Sequence, residues 1–220
     1  MNKIKINLFI KRLFDITASS FGIIVLFIPF LIIALLIKIS SKGPVFFKQI
    51  RIGKNGKQFY VIKFRTMYQG SEALGSITTY NDARITPIGK FLRKYKLDEL
   101  PQLWNVLIGK MSFVGPRPDV PGYADKLEGE AKRILDFTPG ITGPASLYFR
   151  NEEQILAAQE NPQKYNDEVI WPKKIEINLN YINNWNFFKD IGYILITVFP
   201  FLDKIFHLVP ENDYFKKISC

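Results

Sequence analysis

The sequence predicts a mixed α/β (α+β) fold that is associated with a membrane. We expect an N-terminal re-entrant helix, then small mixed or antiparallel sheet elements among several helices. Residues 16–37 are apolar and uncharged, two strand-like runs flank a turn at residues 53–56, and residues 100–108 repeat apolar side chains with a helical period. The chain therefore divides into a membrane segment, residues 1–40, and a cytoplasmic domain, residues 41–220.

The apolar run is long enough to enter a bilayer, because about 20 residues of helix cross a hydrocarbon core of roughly 30 Å. A buried core helix seldom lacks a polar face over this length, and a cleaved signal peptide has a shorter apolar region with a small-residue cleavage site. Residues 3–12 before the run and residues 38–65 after it carry basic and no acidic side chains. The positive-inside tendency therefore draws both ends to the cytoplasmic face.

Pro29 lies near the middle of this run and predicts a break at Ile28 and Pro29, because proline has no N–H to donate to the carbonyl of Val25. A helix that enters the membrane, bends there and leaves on the same side satisfies both basic flanks. A kinked helix that crosses the bilayer is the alternative. At the membrane edge, Asp15 is expected to pair with Arg12 on the same helical face, as an anchor.

After residue 40 the sequence becomes that of a globular domain. The runs at residues 45–53 and 58–67 predict two strands joined by a turn, with Lys63 and Arg65 on one face of the second strand. Residues 69–83 are polar and poorly patterned, which predicts a mobile loop.

Helices are predicted at residues 88–95 and 100–108, and Pro101 and Gly109 suit the first turn and the end of the second one. Residues 173–206 are also helical in pattern and rich in aromatic side chains. Their apolar part is too short to span a bilayer. It suits an interfacial amphipathic helix, and an ordinary core helix is the alternative.

The net charge of +10 favours anionic partners, which are nucleic acid, phosphate-bearing substrates or an anionic membrane face. The only cysteine is Cys220 and the only histidine is His207, so the sequence excludes an internal disulfide, a cysteine metal cluster and multi-histidine zinc chemistry. A metal would be a hard ion held by carboxylates and phosphates, and Mg²⁺ is the default.

Asp98 and Glu99 open the predicted amphipathic helix among many basic residues. In a structural interpretation they are an N-cap aspartate and a first-turn glutamate. In a functional interpretation they hold Mg²⁺ and meet a diphosphate, because phosphoryl transfer needs charge neutralisation, in-line positioning and a nucleophile. With no usable histidine or cysteine, a carboxylate is the natural covalent nucleophile. Spacing alone leaves both interpretations open.

A resemblance to a known family is carried by three blocks, KFRTM (63–67), LDELPQLWNVLIGKMSFVGPRP (97–118) and PGITG (139–143). They resemble the bacterial sugar transferases, the small monotopic polyprenyl-phosphate phosphoglycosyl transferases that begin glycan assembly. KRLFD (11–15), followed by an apolar run with a proline, is also similar. The resemblance covers about residues 10–200. It implies a re-entrant helix in the cytoplasmic leaflet of the bacterial inner membrane, with the catalytic domain on the cytoplasmic face.

The resemblance also implies a reaction. Asp98 attacks the β-phosphate of a UDP-sugar and releases UMP, and Glu99 helps to hold Mg²⁺. Polyprenyl (undecaprenyl) phosphate then attacks the phospho-sugar enzyme. The partners are thus a UDP-sugar, the lipid carrier and the membrane, without nucleic acid, and a homodimer is one assembly that the sequence allows. The side chains assigned to phosphates and nucleotide are Lys63, Arg65, Arg84, Arg93, Arg117 and Arg150.

The family pattern is not followed everywhere. Thr138 stands where many members have arginine, and residues 119–127 and 144–150 leave the recognisable blocks. Residues 144–150 are a candidate contact for the nucleotide or the sugar, so the sequence does not identify the sugar. Two other functions are kept as alternatives, a membrane-bound diphosphatase that acts on nucleotide sugars and a membrane-tethered nucleic-acid or scaffold protein.

Overall fold

The protein is described here by a computed structural model, which covers residues 3–71 and 82–210, with side chains from Ile6 onward. The loop predicted at residues 69–83 lies largely outside the described residues. The helices are α1 (Lys3–Val25), α2 (Phe27–Ser40), α3 (Pro87–Lys94), α4 (Gln102–Leu107), α5 (Pro144–Tyr148), α6 (Glu152–Ala157), α7 (Pro162–Tyr165), α8 (Trp171–Asn183), α9 (Phe187–Val198) and α10 (Asp203–Phe206). The strands are β1 (Phe46–Ile52), β2 (Gln58–Phe64), β3 (Ser112–Val114) and β4 (Gly140–Thr142). The mixture of helices and small sheets agrees with the predicted fold class.

The N-terminal apolar segment is a bent pair of helices. No single helix in the described part of the chain is long and apolar enough to cross a membrane, whereas α1 and α2 together meet that test and bend by 60°. The break lies at Leu26, so the predicted position at Ile28 and Pro29 is corrected by less than one helical turn. Pro29 instead occupies the first turn of α2, where a backbone N–H has no intrahelical partner to lose.

Arg12 and Asp15 do not form the predicted pair. Arg12 donates through Nη1 and Nη2 to the carbonyls of Val106 and Leu107, both at 2.7 Å, at the end of α4. Asp15 is buried, and its Oδ1 accepts from the backbone N–H of Phe113 at 3.1 Å. The prediction was wrong because the carbonyls at the end of α4 accept the Arg12 guanidinium, while Asp15 is buried against Phe113. Both side chains therefore attach α1 to the part of the chain that follows residue 40.

Lys11 adds a second attachment, to α9. Its Nζ donates to Asp190 at 2.5 Å and to the carbonyl of Val114 at 2.8 Å. Asp190 is buried and also accepts from the hydroxyl of Tyr181 and the indole N–H of Trp185. The hydrogen-bonding capacity of the buried Asp190 carboxylate is satisfied by these donors, so we assign Asp190 a structural role. Helix α1 packs against α4, β3 and α9. The division of the chain into a membrane segment and a cytoplasmic domain at residue 40 stays a prediction.

Strands β1 and β2 form the predicted hairpin. They pair antiparallel, from Phe46 opposite Phe64 to Ile52 opposite Gln58. The side chain of Asn105 in α4 binds the backbone of β2. Its Oδ1 accepts from the N–H of Ile62 at 3.0 Å. Its amide also donates to the carbonyl of Tyr60 at 2.7 Å. Helix α4 is thereby held in register with β2, which carries Lys63.

Strands β3 and β4 pair in parallel and bring two distant glycine-rich segments together. The N–H of Gly115 donates to Thr142 at 3.0 Å, and the N–H of Gly140 donates to Pro116 at 2.9 Å. A Cβ at Gly140 would lie 2.1 Å from the nitrogen of Gly115, so only glycine permits this approach. The contact places the turn at residues 115–118 against residues 139–143.

Residues 144–150 belong mainly to the hydrophobic core. Ala145, Tyr148 and Phe149 are buried in one cluster with Ile155 and Ile177. These side chains are therefore core residues, and the candidate contact with nucleotide or sugar does not run through them. The predicted C-terminal helix is divided into α8 and α9, and exposed aromatic side chains follow at and after the end of α9.

Candidate active site

Asp98 and Glu99 lie in a short 3₁₀ turn, Leu97–Glu99, and not at the start of the amphipathic helix. Helix α4 begins after Pro101 and has neither an acidic residue in its first turn nor a side-chain cap. The N-cap interpretation is therefore wrong. Lys96 precedes the turn with φ of 56°, a left-handed conformation that is unfavourable for a residue with a side chain. This reversal turns the two carboxylates towards β2 and the turn at residues 115–118.

Glu99 is held between two cations. Lys63 Nζ donates to Oε1 at 3.0 Å, Arg117 Nη1 donates to Oε2 at 3.2 Å, and Arg117 Nη2 donates to Oε1. Burial by itself would raise the pKa of Glu99, but Arg117 and Lys63 outweigh it and hold this pKa well below its ordinary value. Glu99 is therefore ionised, and both of its oxygens already have donors.

Asp98 is also influenced by the charge of Lys63, but its surroundings differ from those of Glu99. Its side chain belongs to a residue that is only 7% exposed, and its Oδ1 has no hydrogen-bond partner within the described part of the chain. Burial raises the pKa of Asp98, and the charge of Lys63 opposes that rise. An unpaired buried carboxylate oxygen is uncommon in proteins, which makes Asp98 a candidate for a functional role.

The cleft beside the pair has a positive lining. It is formed by Arg51, Val61, Lys63, Gln102, Arg117 and Pro118. Arg51 donates to the carbonyl of Pro118 at 3.1 Å, and burial together with the neighbouring Arg117 lowers the pKa of Arg51 to about 10. Gln102 is buried, and its Nε2 has no partner among the residues that the structure describes. Cations here outnumber the carboxylate Glu99, and such a cleft suits a diphosphate.

Sequence reasoning missed Arg51 and Gln102. Arg51 lies on the strand that pairs with β2, and Gln102 follows Asp98 by about one helical turn. Only the hairpin register and the orientation of α4 identify them as lining residues.

Arg65 and Arg150 are not brought to the carboxylate pair by the contacts that they make. Arg65 is buried and donates to the carbonyls of Ser41 and Lys42, at 2.8 and 2.7 Å, just after α2. Arg150 donates to the carbonyls of Ile196 and Thr197, both at 3.2 Å, near the end of α9. Both arginines bond carbonyls at helix ends, where the macrodipole favours cations.

Arg93 and Arg84 take intermediate positions. Arg93 forms an ion pair with Glu153. Burial raises the pKa of Asp98, and the charge of Arg93 opposes part of that rise. Arg84 pairs with Asp82 at 2.5 Å. Of the predicted substrate cations, Lys63 and Arg117 are the ones shown in contact with Glu99, and substrate roles for the others stay predictions.

The donor set fits Mg²⁺ in one way. In residues 3–71 and 82–210, no three Asp, Glu, His or Cys side chains gather to hold a metal ion by themselves. Mg²⁺ commonly takes one or two carboxylates and completes its coordination with waters and substrate phosphates. The ionised Glu99 beside the unpartnered oxygen of Asp98 fits that mode, in which the substrate supplies the remaining ligands.

The sequence is similar to those of known sugar transferases. Residues 6–204 match the family model described as bacterial sugar transferase. The chain is 36% identical to an uncharacterized sugar transferase, EpsL, of Bacillus subtilis (strain 168), over 86% of this chain and 85% of that protein. It is 41% identical to a UDP-glucose:undecaprenyl-phosphate glucose-1-phosphate transferase of Klebsiella pneumoniae, over 90% of this chain and 42% of that protein.

A further relative carries a different sugar in its name. The chain is 37% identical to a UDP-N-acetylgalactosamine-undecaprenyl-phosphate N-acetylgalactosaminephosphotransferase of Aeromonas hydrophila, over 86% of this chain and 43% of that protein. The chain thus spans about two-fifths of the length of the Klebsiella and Aeromonas relatives.

Proposed function

The chain belongs to the bacterial sugar transferase family, and we propose that it transfers a sugar phosphate from a UDP-sugar to undecaprenyl phosphate. The products are an undecaprenyl diphosphate sugar and UMP. The observation that carries this proposal is the buried Asp98, whose Oδ1 has no partner in residues 3–71 and 82–210, beside Glu99 held between Lys63 and Arg117. Relatives named for glucose-1-phosphate and N-acetylgalactosamine phosphate transfer support the same class of reaction.

The reaction runs through Asp98 as a covalent nucleophile. A carboxylate oxygen of Asp98 attacks the β-phosphorus of the UDP-sugar, the bond from that phosphorus to the bridging oxygen breaks, and UMP leaves with that oxygen. A phosphate oxygen of undecaprenyl phosphate then attacks the same phosphorus and releases the Asp98 carboxylate. Neither step needs a proton to be moved, which is consistent with a site built from carboxylates and cations.

The contacts favour Asp98 over Glu99 as the nucleophile, a choice that spacing alone leaves open. Both oxygens of Glu99 accept from Lys63 or Arg117, so an attack by Glu99 would first have to break ion pairs. Among the residues that the structure describes, none donates a hydrogen bond to Oδ1 of Asp98, and a poorly solvated carboxylate attacks more readily. Glu99 instead keeps Lys63 and Arg117 in place for the phosphates.

We include in this proposal a Mg²⁺ ion whose ligands would come from both the protein and the substrate. Glu99 and the diphosphate would hold it, and it would neutralise charge on the phosphates when bound. Arg117, Lys63 and Arg51 supply fixed positive charge in the same cleft. Their part is to bind and orient the diphosphate anion against Asp98.

We also propose that α1 and α2 form a re-entrant pair in the cytoplasmic leaflet of the bacterial inner membrane. The support is the 60° bend, the basic flanks and the exposed apolar side chains of α2, among them Phe27, Leu31 and Leu35. Since α1 packs against α4, the pair would hold the active site beside the lipid carrier. A homodimer stays a prediction.

The test is UMP release from a panel of UDP-sugars, with and without undecaprenyl phosphate. We expect sustained release with lipid and, without lipid, about one UMP per active site together with a phospho-sugar adduct in intact-protein mass spectrometry. Continuous release of free sugar phosphate without lipid would instead identify a diphosphatase. A protein that binds DNA or RNA and is indifferent to Asp98→Asn would be the tethered scaffold.

A further inference from the structure

Arg93 and Glu153 form an ion pair that joins α3 to α6. Arg93 lies in the last turn of α3, and its Nη2 donates to Oε1 of Glu153 in the first turn of α6. The two residues are 60 positions apart in the sequence. Helix α6 is itself fixed, because Ile155 and Leu156 are buried in a core cluster. The pair is therefore a tertiary contact between two packed elements.

This ion pair lies close to the candidate nucleophile and is open to solvent. Helix α3 contacts the turn Leu97–Glu99, and the charge of Arg93 opposes part of the rise that burial causes in the pKa of Asp98. The side chains of Arg93 and Glu153 are 20% and 37% exposed. A dissolved anion that approaches Asp98 can therefore reach this pair.

The guanidinium of Arg93 is held from its inner end. Its Nε is buried and has no hydrogen-bond partner among the residues that the structure describes, whereas Nη2 is bound by Glu153. Because burial of Nε already restricts the side chain, Glu153 is not needed to place the guanidinium. What Glu153 supplies is a negative charge on the group that an anionic substrate would otherwise bind.

We propose that Glu153 is a resident counter-ion of Arg93, and that a phosphate of the UDP-sugar displaces it on binding. This proposal rests on the proposed function, because it assumes a diphosphate substrate beside Asp98. A phosphate group offers several acceptor oxygens to a guanidinium, whereas a partly exposed ion pair contributes little free energy and is readily broken. Glu153 neutralises Arg93 in the free enzyme, and it weakens nucleotide binding because it competes for the same cation.

The first experiment measures the binding of α,β-methylene-UDP, which cannot be cleaved at its bridge, to the full chain in detergent by calorimetry. We expect Glu153→Gln to bind this probe about threefold more tightly than the wild type, since the competing ion pair is partly exposed. The matched control is Glu130→Gln, which removes the exposed Glu130–Arg133 pair and should not change the affinity. Thermal unfolding verifies that each variant is folded.

The second experiment completes a double-mutant cycle with Arg93→Gln. This variant should bind the probe about tenfold more weakly, and adding Glu153→Gln to it should give no further gain, because no guanidinium is left to compete for. A gain that persists without Arg93 would show that Glu153 merely repels anions, and would overturn the exchange.

The proposed function fails by a different result. Unchanged or weaker probe binding in Glu153→Gln would overturn the exchange even if lipid-dependent transfer is normal. A wild type that transfers from no UDP-sugar would overturn the proposed function instead, and tighter probe binding in Glu153→Gln that depends on Arg93 would still support the exchange.

Discussion

Arg117 meets Glu99 with both of its terminal nitrogens, Nη1 donating to Oε2 at 3.2 Å and Nη2 donating to Oε1. The contact joins the turn at residues 115–118 to the carboxylate pair. A bidentate guanidinium contact fixes both the position of the charge and the orientation of the carboxylate, which a single ammonium group does not. Arg117 also lines the cleft beside the carboxylate pair.

Arg117→Lys should therefore retain the charge and still lose most of the activity. We expect kcat/KM for UMP release to fall about a hundredfold. A lysine cannot form the bidentate contact, and the diphosphate would therefore be poorly positioned. Arg133→Lys is the control, since Arg133 forms an exposed ion pair with Glu130 and should be silent. Activity close to wild type in Arg117→Lys would contradict the positioning role.

Neutralising the two adjacent carboxylates should have different effects on stability. Asp98→Asn should abolish turnover while leaving thermal unfolding unchanged or raised, because burial disfavours the Asp98 charge. Glu99→Gln should lower the free energy of unfolding by about 3 kcal/mol, because Lys63 and Arg117 lose their buried counter-charge. Denaturant unfolding followed by circular dichroism measures both, and equal effects would show that the two carboxylates have equivalent surroundings.

Chelation should stop turnover without affecting the folded protein. With EDTA, UMP release should fall to background and return on addition of excess Mg²⁺. Since the described residues contain no cage of three or more protein ligands, Mg²⁺ alone should shift the unfolding temperature little, and Mg²⁺ with UDP-sugar should shift it more. Full activity in the chelator would show that Glu99 does not serve as a metal ligand.

Arg12→Ala should loosen α1 from the catalytic domain. It removes two charge-assisted hydrogen bonds to the end of α4, and we expect the free energy of unfolding to fall by about 2 kcal/mol. Lys110→Ala, at an exposed position close to the same helix end, is the control. If the two variants unfold alike, Arg12 does not attach α1 through these carbonyls.

Both ends of the bent helix pair should be reached from the same side of the membrane. In a Cys220→Ser background, Lys5→Cys and Lys48→Cys should be labelled by an impermeant maleimide only in inside-out vesicles, because both flanks are basic. Labelling of the two cysteines from opposite faces would establish a kinked span instead. Intact right-side-out vesicles provide the comparison.

The local features of this protein were predictable from the sequence. The hairpin of β1 and β2, the short helix α3 and the apolar N-terminal segment follow from alternation, turn residues and composition, which act over a few neighbouring residues. The carboxylate pair could be recognised in the same way, as Asp98 and Glu99 within a basic neighbourhood. The position of the pair relative to α4 could not be predicted, because Lys96 in a left-handed conformation moves the pair into a separate turn.

Only the tertiary structure decided which cations face the carboxylates. Lysine and arginine side chains are long and bond to whichever acceptors lie within reach, so Arg65 and Arg150 turn to carbonyls near helix ends while Lys63 and Arg117 meet Glu99. The parallel pairing of β3 with β4 is likewise a contact between distant segments, and it places the turn that carries Arg117. These choices depend on distances between elements, which local patterns of sequence do not contain.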